Sequence, residues 1–252
     1  FKPRTVYRDS VEERSGSQAE RRDTVSVRRI AMEQDTKPMR PPLEGVRVLD
    51  LSTMLAGPFG SMMLGDLGAE VIKVETLTGD NTRNFPPHFH KGESLYYMSF
   101  NRNKKSVTID LKKEEGRQVF YELVRRSDVV WDNYRDGITK KLKVDYETLR
   151  EINPAIICCS ITAYGENNPY DHNDPTYDLC IQAMSGVLDM TGERDRPPVK
   201  LGVPMADLSG GWFGVVAVLA SVNGEKISFL AVCCKEAVAK GVKAGDLVKN
   251  VC

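Results

Sequence analysis

Two short runs, Val46-Arg47-Val48-Leu49-Asp50-Leu51 and Glu70-Val71-Ile72-Lys73-Val74-Glu75, decide the fold, together with Pro58–Leu67 between them. Both runs are rich in β-branched residues, whereas the middle segment has Gly57 just before it and a proline in its first turn, where no helical hydrogen bond is lost. Strand, helix, strand is the unit of a parallel sheet. The same texture continues outward, with strands expected at Ser106–Leu111, Asp128–Asp132 and Ala155–Thr162. Helices are expected at Glu114–Arg126, with Val119, Phe120, Leu123 and Val124 on one face, and at Tyr146–Ile152, Tyr177–Met190 and Met205–Val222. Breaks fall at Pro86-Pro87, Asn153-Pro154 and Pro197-Pro198. The fold class is therefore α/β, an open, doubly wound, Rossmann-like parallel sheet, whose strand order the sequence leaves open.

Three segments follow from composition. Residues 1–41 mix charges of both signs with Ser, Thr and Gln and lack apolar periodicity, so they read as a disordered tail. Residues 42–222 hold the folded unit. Residues 223–252 start with the turn signal Asn223-Gly224-Glu225 and offer one apolar stretch, Ile227–Cys234, before an uncapped Ala/Lys/Val/Gly run. No internal repeat is visible.

The chain has 252 residues, 41% hydrophobic and 28% charged, enough to bury a full-sized core. Its 35 basic and 35 acidic residues cancel, so the bulk charge gives no reason to expect nucleic acid or an anionic membrane as partner. The longest apolar run, Val215–Val222, is too short to cross a bilayer. Six cysteines without disulfide spacing or a Cys-x-x-Cys pair fit a reducing compartment. The Arg-rich start suggests organelle targeting, but Asp9, Glu12, Glu13, Glu20 and Asp23 oppose it. The expected location is the cytoplasm or the mitochondrial matrix.

Several catalytic signatures are missing: G-x-G-x-x-G after the first strand, G-x-x-x-x-G-K-[ST] and G-x-S-x-G. His88 and His90 share a Pro-flanked loop without a third ligand at a defined spacing, so no metal site is expected. Cys158 and Cys159, adjacent on a strand, point to opposite faces and read as core. Three constellations remain. Leu55-Ala56-Gly57-Pro58 opens a helix, where free N–H groups either hold a phosphate or merely shape a turn. Asn101–Ser106, Lys112 and Asn133-Tyr134-Arg135 lie near strand ends, as ligand contacts or as a solvated charged face. Asp207, in Gly202–Gly211, starts an apolar helix as a cap or as an ionised carboxylate with small residues around it leaving room for an electrophile.

The choice among these comes from resemblance. The stretches PLEGVRVLDLSTMLAGPF (42–59), LGDLGAEVIKVE (64–75), GDNTR (79–83), NRNKKSVTIDLK (101–112), DNYRDG (132–137), LREINPAIICCSITAYG (149–165), YDLCIQAMSGVLDMTG (177–192) and GVPMADLSGG (202–211) resemble, in order and spacing, the family III CoA-transferases, also called the CaiB/BaiF family. The resemblance implies the large domain of such an enzyme and a transferase that moves CoA between an acyl-CoA thioester and a small carboxylic acid. Asp207 would be the nucleophile, passing through an aspartyl-CoA intermediate. CoA would contact Leu55 and Ala56, Thr76, Ile109, Asp110, Leu111 and Lys112, Asn133, Tyr134 and Arg135, and Lys141, with Tyr177 and Asp178 near the pantetheine. The family often carries Arg where this chain has Thr76, which puts the adenine contact in question. No cofactor would be tightly bound, since CoA thioester is substrate. The likeness of NRNKKS and ITAYG to the glutarate enzyme implies a dicarboxylate as the acid. Full-length members are interlocked homodimers.

Two other functions fit the residues less well. A noncatalytic CoA-binding paralogue is suggested by Thr76 and by likeness that ends at Val222. Independently of that reading, the resemblance implies a large domain lacking the small domain, and the chain as written is expected to be a poor enzyme. The family's α-methylacyl-CoA racemases use a His just before the Asp matched by Asp178, and Tyr177 in that place is a poor base at neutral pH.

Overall fold

The first expected strand forms as β1 (Arg47–Asp50), inside a six-stranded parallel sheet, in a computed structural model that describes residues 40–165, 176–223 and 229–233. On one side of β1 lie β2 (Glu70–Glu75) and β5 (Lys104–Thr108), and on the other β6 (Val129–Asp132), β7 (Ile157–Thr162) and β8 (Phe229–Cys233). The order β5-β2-β1-β6-β7-β8 reverses direction at β1/β6. Between β2 and β5 the chain forms a 3-10 turn (Asn81–Asn84), a small hairpin of β3 (Phe89–His90) and β4 (Glu93–Ser94), and α2 (Leu95–Phe100). The other helices are α1 (Ala56–Asp66), α3 (Glu114–Val124), α4 (Ile138–Leu142), α5 (Tyr146–Ile152), α6 (Asp178–Met184) and α7 (Met205–Asn223).

Alternation along the strands splits the core in two. Val48, Val71, Val129, Trp131, Cys159 and Ile161 pack with α1, α6 and α7 on one face. Leu49, Val74, Val130 and Cys158 pack with Phe120, Val124 and Leu149 of α3 and α5 on the other. Cys158 and Cys159 thus serve opposite cores, as their adjacency demands. Helices on both faces make the sheet doubly wound.

α1 and α7 meet through glycine. A Cβ on Gly211 would lie 2.7 Å from the Ala56 carbonyl oxygen, and one on Gly60 would lie 2.4 Å from the Trp131 ring and 2.9 Å from the Gly211 oxygen. The Trp131 indole Nε1 donates to the Gly57 oxygen at 2.9 Å, fixing the strand to α1. Gly211 was expected to leave room for an electrophile, but this space belongs to α1. Gly202, by contrast, faces open space. Gly211→Val should cost about 1–3 kcal/mol through overpacking. A guanidinium unfolding midpoint unchanged from wild type would contradict the close helix contact.

Four expectations shift. The strand expected at Ser106–Leu111 is Lys104–Thr108, because the Asp110 side chain accepts from Lys112 N and its carbonyl from Lys113 N, turning the chain early. The helix expected to reach Met190 stops at Met184, where Gly186 takes φ +80° just beyond it. The apolar stretch near residue 230 forms β8, paired in parallel with β7 from Cys158↔Phe229 to Thr162↔Cys233. Finally, α7 taken whole is long and apolar enough to cross a membrane, although its longest unbroken apolar run is not. Its apolarity serves the core, where Ala206, Val215, Ala217 and Val218 are buried. The expected tail over residues 1–41 lies almost wholly outside the described residues, as does the turn at Gly224.

Candidate active site

Four segments expected to hold a ligand follow the carboxyl ends of four neighbouring strands, so the fold brings them to one sheet edge. They are Leu55 and Ala56 beyond β1, Thr76 after β2, 109–112 after β5 and 133–135 after β6. The chain leading to the first meets the last where the strand order reverses: Asn133 accepts from Thr53 N at 2.9 Å and donates to the Thr53 oxygen at 2.8 Å. The two segments on the other side are also joined, since Ile109 N donates to the Glu75 oxygen at 2.9 Å, one residue before Thr76. Open α/β sheets bind ligands at such a reversal.

Beneath this edge lie two buried ion pairs. Lys104 Nζ is 3.0 Å from Asp50 Oδ2 and Lys73 Nζ 2.8 Å from Asp80 Oδ2, with all four side chains at most 1% exposed. Both lysines also hold the turn. Lys73 donates to the Ser52 oxygen at 2.7 Å and Lys104 to the Pro58 oxygen at 2.9 Å. Burial pushes Asp50 up, but Lys104, Lys73 and the Ser52 and Ser61 hydroxyls outweigh it and hold the carboxyl at about 2. Burial pulls Lys104 down to about 8 against the attraction of Asp50. The Asn101–Ser106 run is therefore more than a solvated face: Lys104 is buried, while Lys105 and Arg102 do pair at the surface with Glu70 and Asp66.

Asp207 sits in the first turn of α7, one turn before Gly211 and so on the helix face that meets the start of α1. The open N–H groups there are capped from elsewhere. Asp178 Oδ1 accepts from Ala206 N at 2.7 Å and from Asp207 N at 3.2 Å. The Gln182 amide donates to Asp178 Oδ2 and accepts from Leu201 N at 3.1 Å, locking the cap. Among the described residues the Asp207 carboxylate itself makes no hydrogen bond. Burial, aided by the Asp178 charge, raises its carboxyl from 3.8 to about 6. The plain helix-cap role thus belongs to Asp178, and the Asp207 carboxylate stays partly buried.

Tyr96, which no motif singles out, has its hydroxyl raised to about 12 by burial and next by the charge of Asp207 and then of Asp80. Its ring lies 5.0 Å from that of Phe85 and 5.3 Å from that of Phe100, forming an aromatic wall. The only available signal was the aromatic cluster Tyr96, Tyr97 and Phe100, which has no catalytic spacing.

The remaining expected residues divide by exposure. Leu55, Ala56, Ile109 and Leu111 bury their side chains, so any ligand would meet their backbone. Lys112, Arg135 and Lys141 are exposed. Tyr134 is partly buried, and burial, with Asp132 and Asp50, raises its hydroxyl to about 12. Thr76 is exposed and closes its own turn by donating to the Gly79 oxygen at 3.1 Å. The nearby Arg83 is committed to Glu75, at 2.7 and 2.9 Å, and lies 4.1 Å over the Tyr97 ring. Tyr177 is 67% exposed and precedes the Asp178 cap.

A doubly wound sheet with a reversal of strand order and a partly buried aspartate at the start of α7 defines the α/β class of this chain. The chain belongs to CoA-transferase family III, whose sequence profile matches residues 43–227. It is 47% identical over 182 residues to succinyl-CoA:glutarate CoA-transferase of Mus musculus, covering 72% of this chain and 42% of that one. It is 46% identical over 191 residues to succinate–glutarate CoA-transferase of Agrobacterium fabrum, covering 73% and 47%. A solved CaiB/BaiF family protein from Brucella suis superposes with a TM-score of 0.72 at 38% identity, covering 82% of this chain and 57% of that one. The chain thus spans about half the length of the curated relatives it matches.

Proposed function

We propose that this chain carries the CoA-binding edge and the nucleophile of a transferase that moves CoA between an acyl-CoA thioester and a small dicarboxylic acid. The observation that carries this reading is Asp207, partly buried at the start of α7 with its backbone held by Asp178 and its carboxylate unpaired among the described residues. An ionised carboxylate attacks the thioester carbonyl and releases CoA thiolate, leaving a mixed anhydride on Asp207. The thiolate then attacks the aspartyl carbonyl, expels the first acid and leaves an aspartyl-CoA thioester. The acceptor carboxylate reverses these steps. CoA is substrate here, and the same family likeness supports an interlocked homodimer for a full-length member.

The dicarboxylate assignment is supported by the relatives named for glutarate. Incubation with succinyl-CoA should give a CoA adduct on the Asp207 peptide by mass spectrometry, removed by hydroxylamine. With glutarate as acceptor, turnover should fall as pH drops through about 6, where Asp207 takes up its proton. CoA binding without adduct or turnover over a panel of oxalate, carnitine, glutarate, succinate and itaconate would favour a noncatalytic CoA-binding role. Thr76, in place of the family's Arg, is the observation behind that second reading. A racemase is disfavoured by Tyr177, which is exposed and a poor base.

A further inference from the structure

The first turn of α3 is built around the backbone of 110–112. A Cβ on Gly116 would lie 2.1 Å from the Asp110 oxygen and 2.8 Å from the Asp110 carbonyl carbon, so only glycine lets the helix sit so close. One residue on, Arg117 Nη1 donates to the Leu111 oxygen at 3.1 Å and to the Lys112 oxygen at 3.0 Å. The Arg117 side chain is only 13% exposed, and its Nη2 is held by Glu114. Its Nε is buried without an acceptor, so the guanidinium is kept where the two carbonyls are even at the expense of one donor. Lys112 N on Asp110 Oδ1 and Lys113 N on the Asp110 oxygen add two more ties, so the carbonyls of 110, 111 and 112 all accept a hydrogen bond.

We infer that Arg117 is a positioning residue for CoA: with Gly116 it fixes the 109–112 backbone so that this segment and the exposed Lys112 meet the nucleotide in one conformation. The inference rests on the CoA-binding reading above. Nη1 serves both carbonyls through its two N–H groups while Nη2 anchors on Glu114, and lysine, a single point charge on a flexible stem, lacks that second anchor. A built-in comparison lies at the other end of α3. There the Asn153 amide donates to the Val124 and Ser127 oxygens at 3.0 and 2.9 Å, a similar two-carbonyl tie that lies away from the 109–112 segment.

CoA should be titrated calorimetrically into the wild-type chain and into Arg117→Met, Arg117→Lys and Asn153→Ala, with amide hydrogen exchange on the ligand-free proteins. Arg117→Met should weaken CoA binding by about tenfold or more, as displaced contact groups do, and should speed exchange at residues 109–113. Arg117→Lys should fall between, and it stands in if the Met variant fails to fold. Asn153→Ala should lose thermal stability but keep its CoA affinity. Wild-type affinity in both Arg117 variants, or equal loss in Asn153→Ala, overturns the positioning role alone. A wild-type chain that does not bind CoA overturns the proposed function, and this inference with it.

Discussion

Asp207→Asn should abolish CoA transfer from succinyl-CoA to glutarate, by about 10⁴-fold or more, as expected when a covalent nucleophile is removed. The same substitution should make the protein more stable. The Asp207 carboxyl is raised from 3.8 to about 6 by burial and then by Asp178, so its ionised form is disfavoured in the folded state. Well below pH 3.8 the group is protonated in both states and contributes no difference. Between pH 4 and 6 the unfolded chain ionises while the folded one does not, so wild-type stability falls as pH rises. Above about pH 6 the full cost is present, and Asn, being neutral, escapes it. Urea unfolding at pH 4 and pH 8 checks this: the gain should be small at the lower pH and plain at the higher. A variant that transfers CoA normally removes the nucleophile, and one no more stable at pH 8 removes the buried environment argued for it.

Lys73→Met should destabilise the fold by about 3–5 kcal/mol, the usual result of leaving one partner of a buried pair uncompensated. Lys73 and Asp80 are each 1% exposed and 2.8 Å apart, and Lys73 also donates to the Ser52 oxygen. Without the lysine, Asp80 keeps as hydrogen-bond donors among the described residues the Thr82 N–H and hydroxyl, at 2.8 and 2.6 Å, with only the more distant charge of Lys104 to offset its own. Against a typical total of about 5–15 kcal/mol, the loss leaves little margin. The double variant Lys73→Met with Asp80→Asn should recover part of it, because the amide oxygen still accepts from Thr82 while the orphaned charge is gone. Guanidinium midpoints of the two variants decide the matter. A change under about 1 kcal/mol in the single variant would mean that water reaches the pair.

Much of the sheet was legible because β-branched runs announce strands: the runs around Val48, Val71, Val129 and Ile157 all became strands. β5 was misplaced by two residues at its start because it opens with Lys104 and Lys105, whose charges mask a strand. Neither α2 nor α4 was expected. The aromatic Leu95–Phe100 run carries no apolar stripe, and Ile138–Leu142 is too short to show one. The site was legible only in part for a different reason. Asp207 reads as a helix cap in its local sequence, and the residue that does the capping stands 29 positions earlier. Likewise Lys104 reads as a surface charge until Asp50, 54 residues away, is seen beside it. Local pattern records propensity; pairing across the sheet does not show in it.

The reversal at β1/β6 has a consequence for how the molecule assembles during synthesis. β1 finds β2 through a short crossover, but its other neighbour, β6, begins at Val129, 82 residues after β1 begins at Arg47. A half-made sheet of β5, β2 and β1 can exist while the opposite wall of the crevice has not yet left the ribosome. Long-range pairing of this kind is slow, since loop closure precedes the contacts that reward it. The crevice therefore appears only after that long closure, and a ligand held across Thr53 and Asn133 would report on the β1/β6 pairing, blind to any earlier half-sheet intermediate.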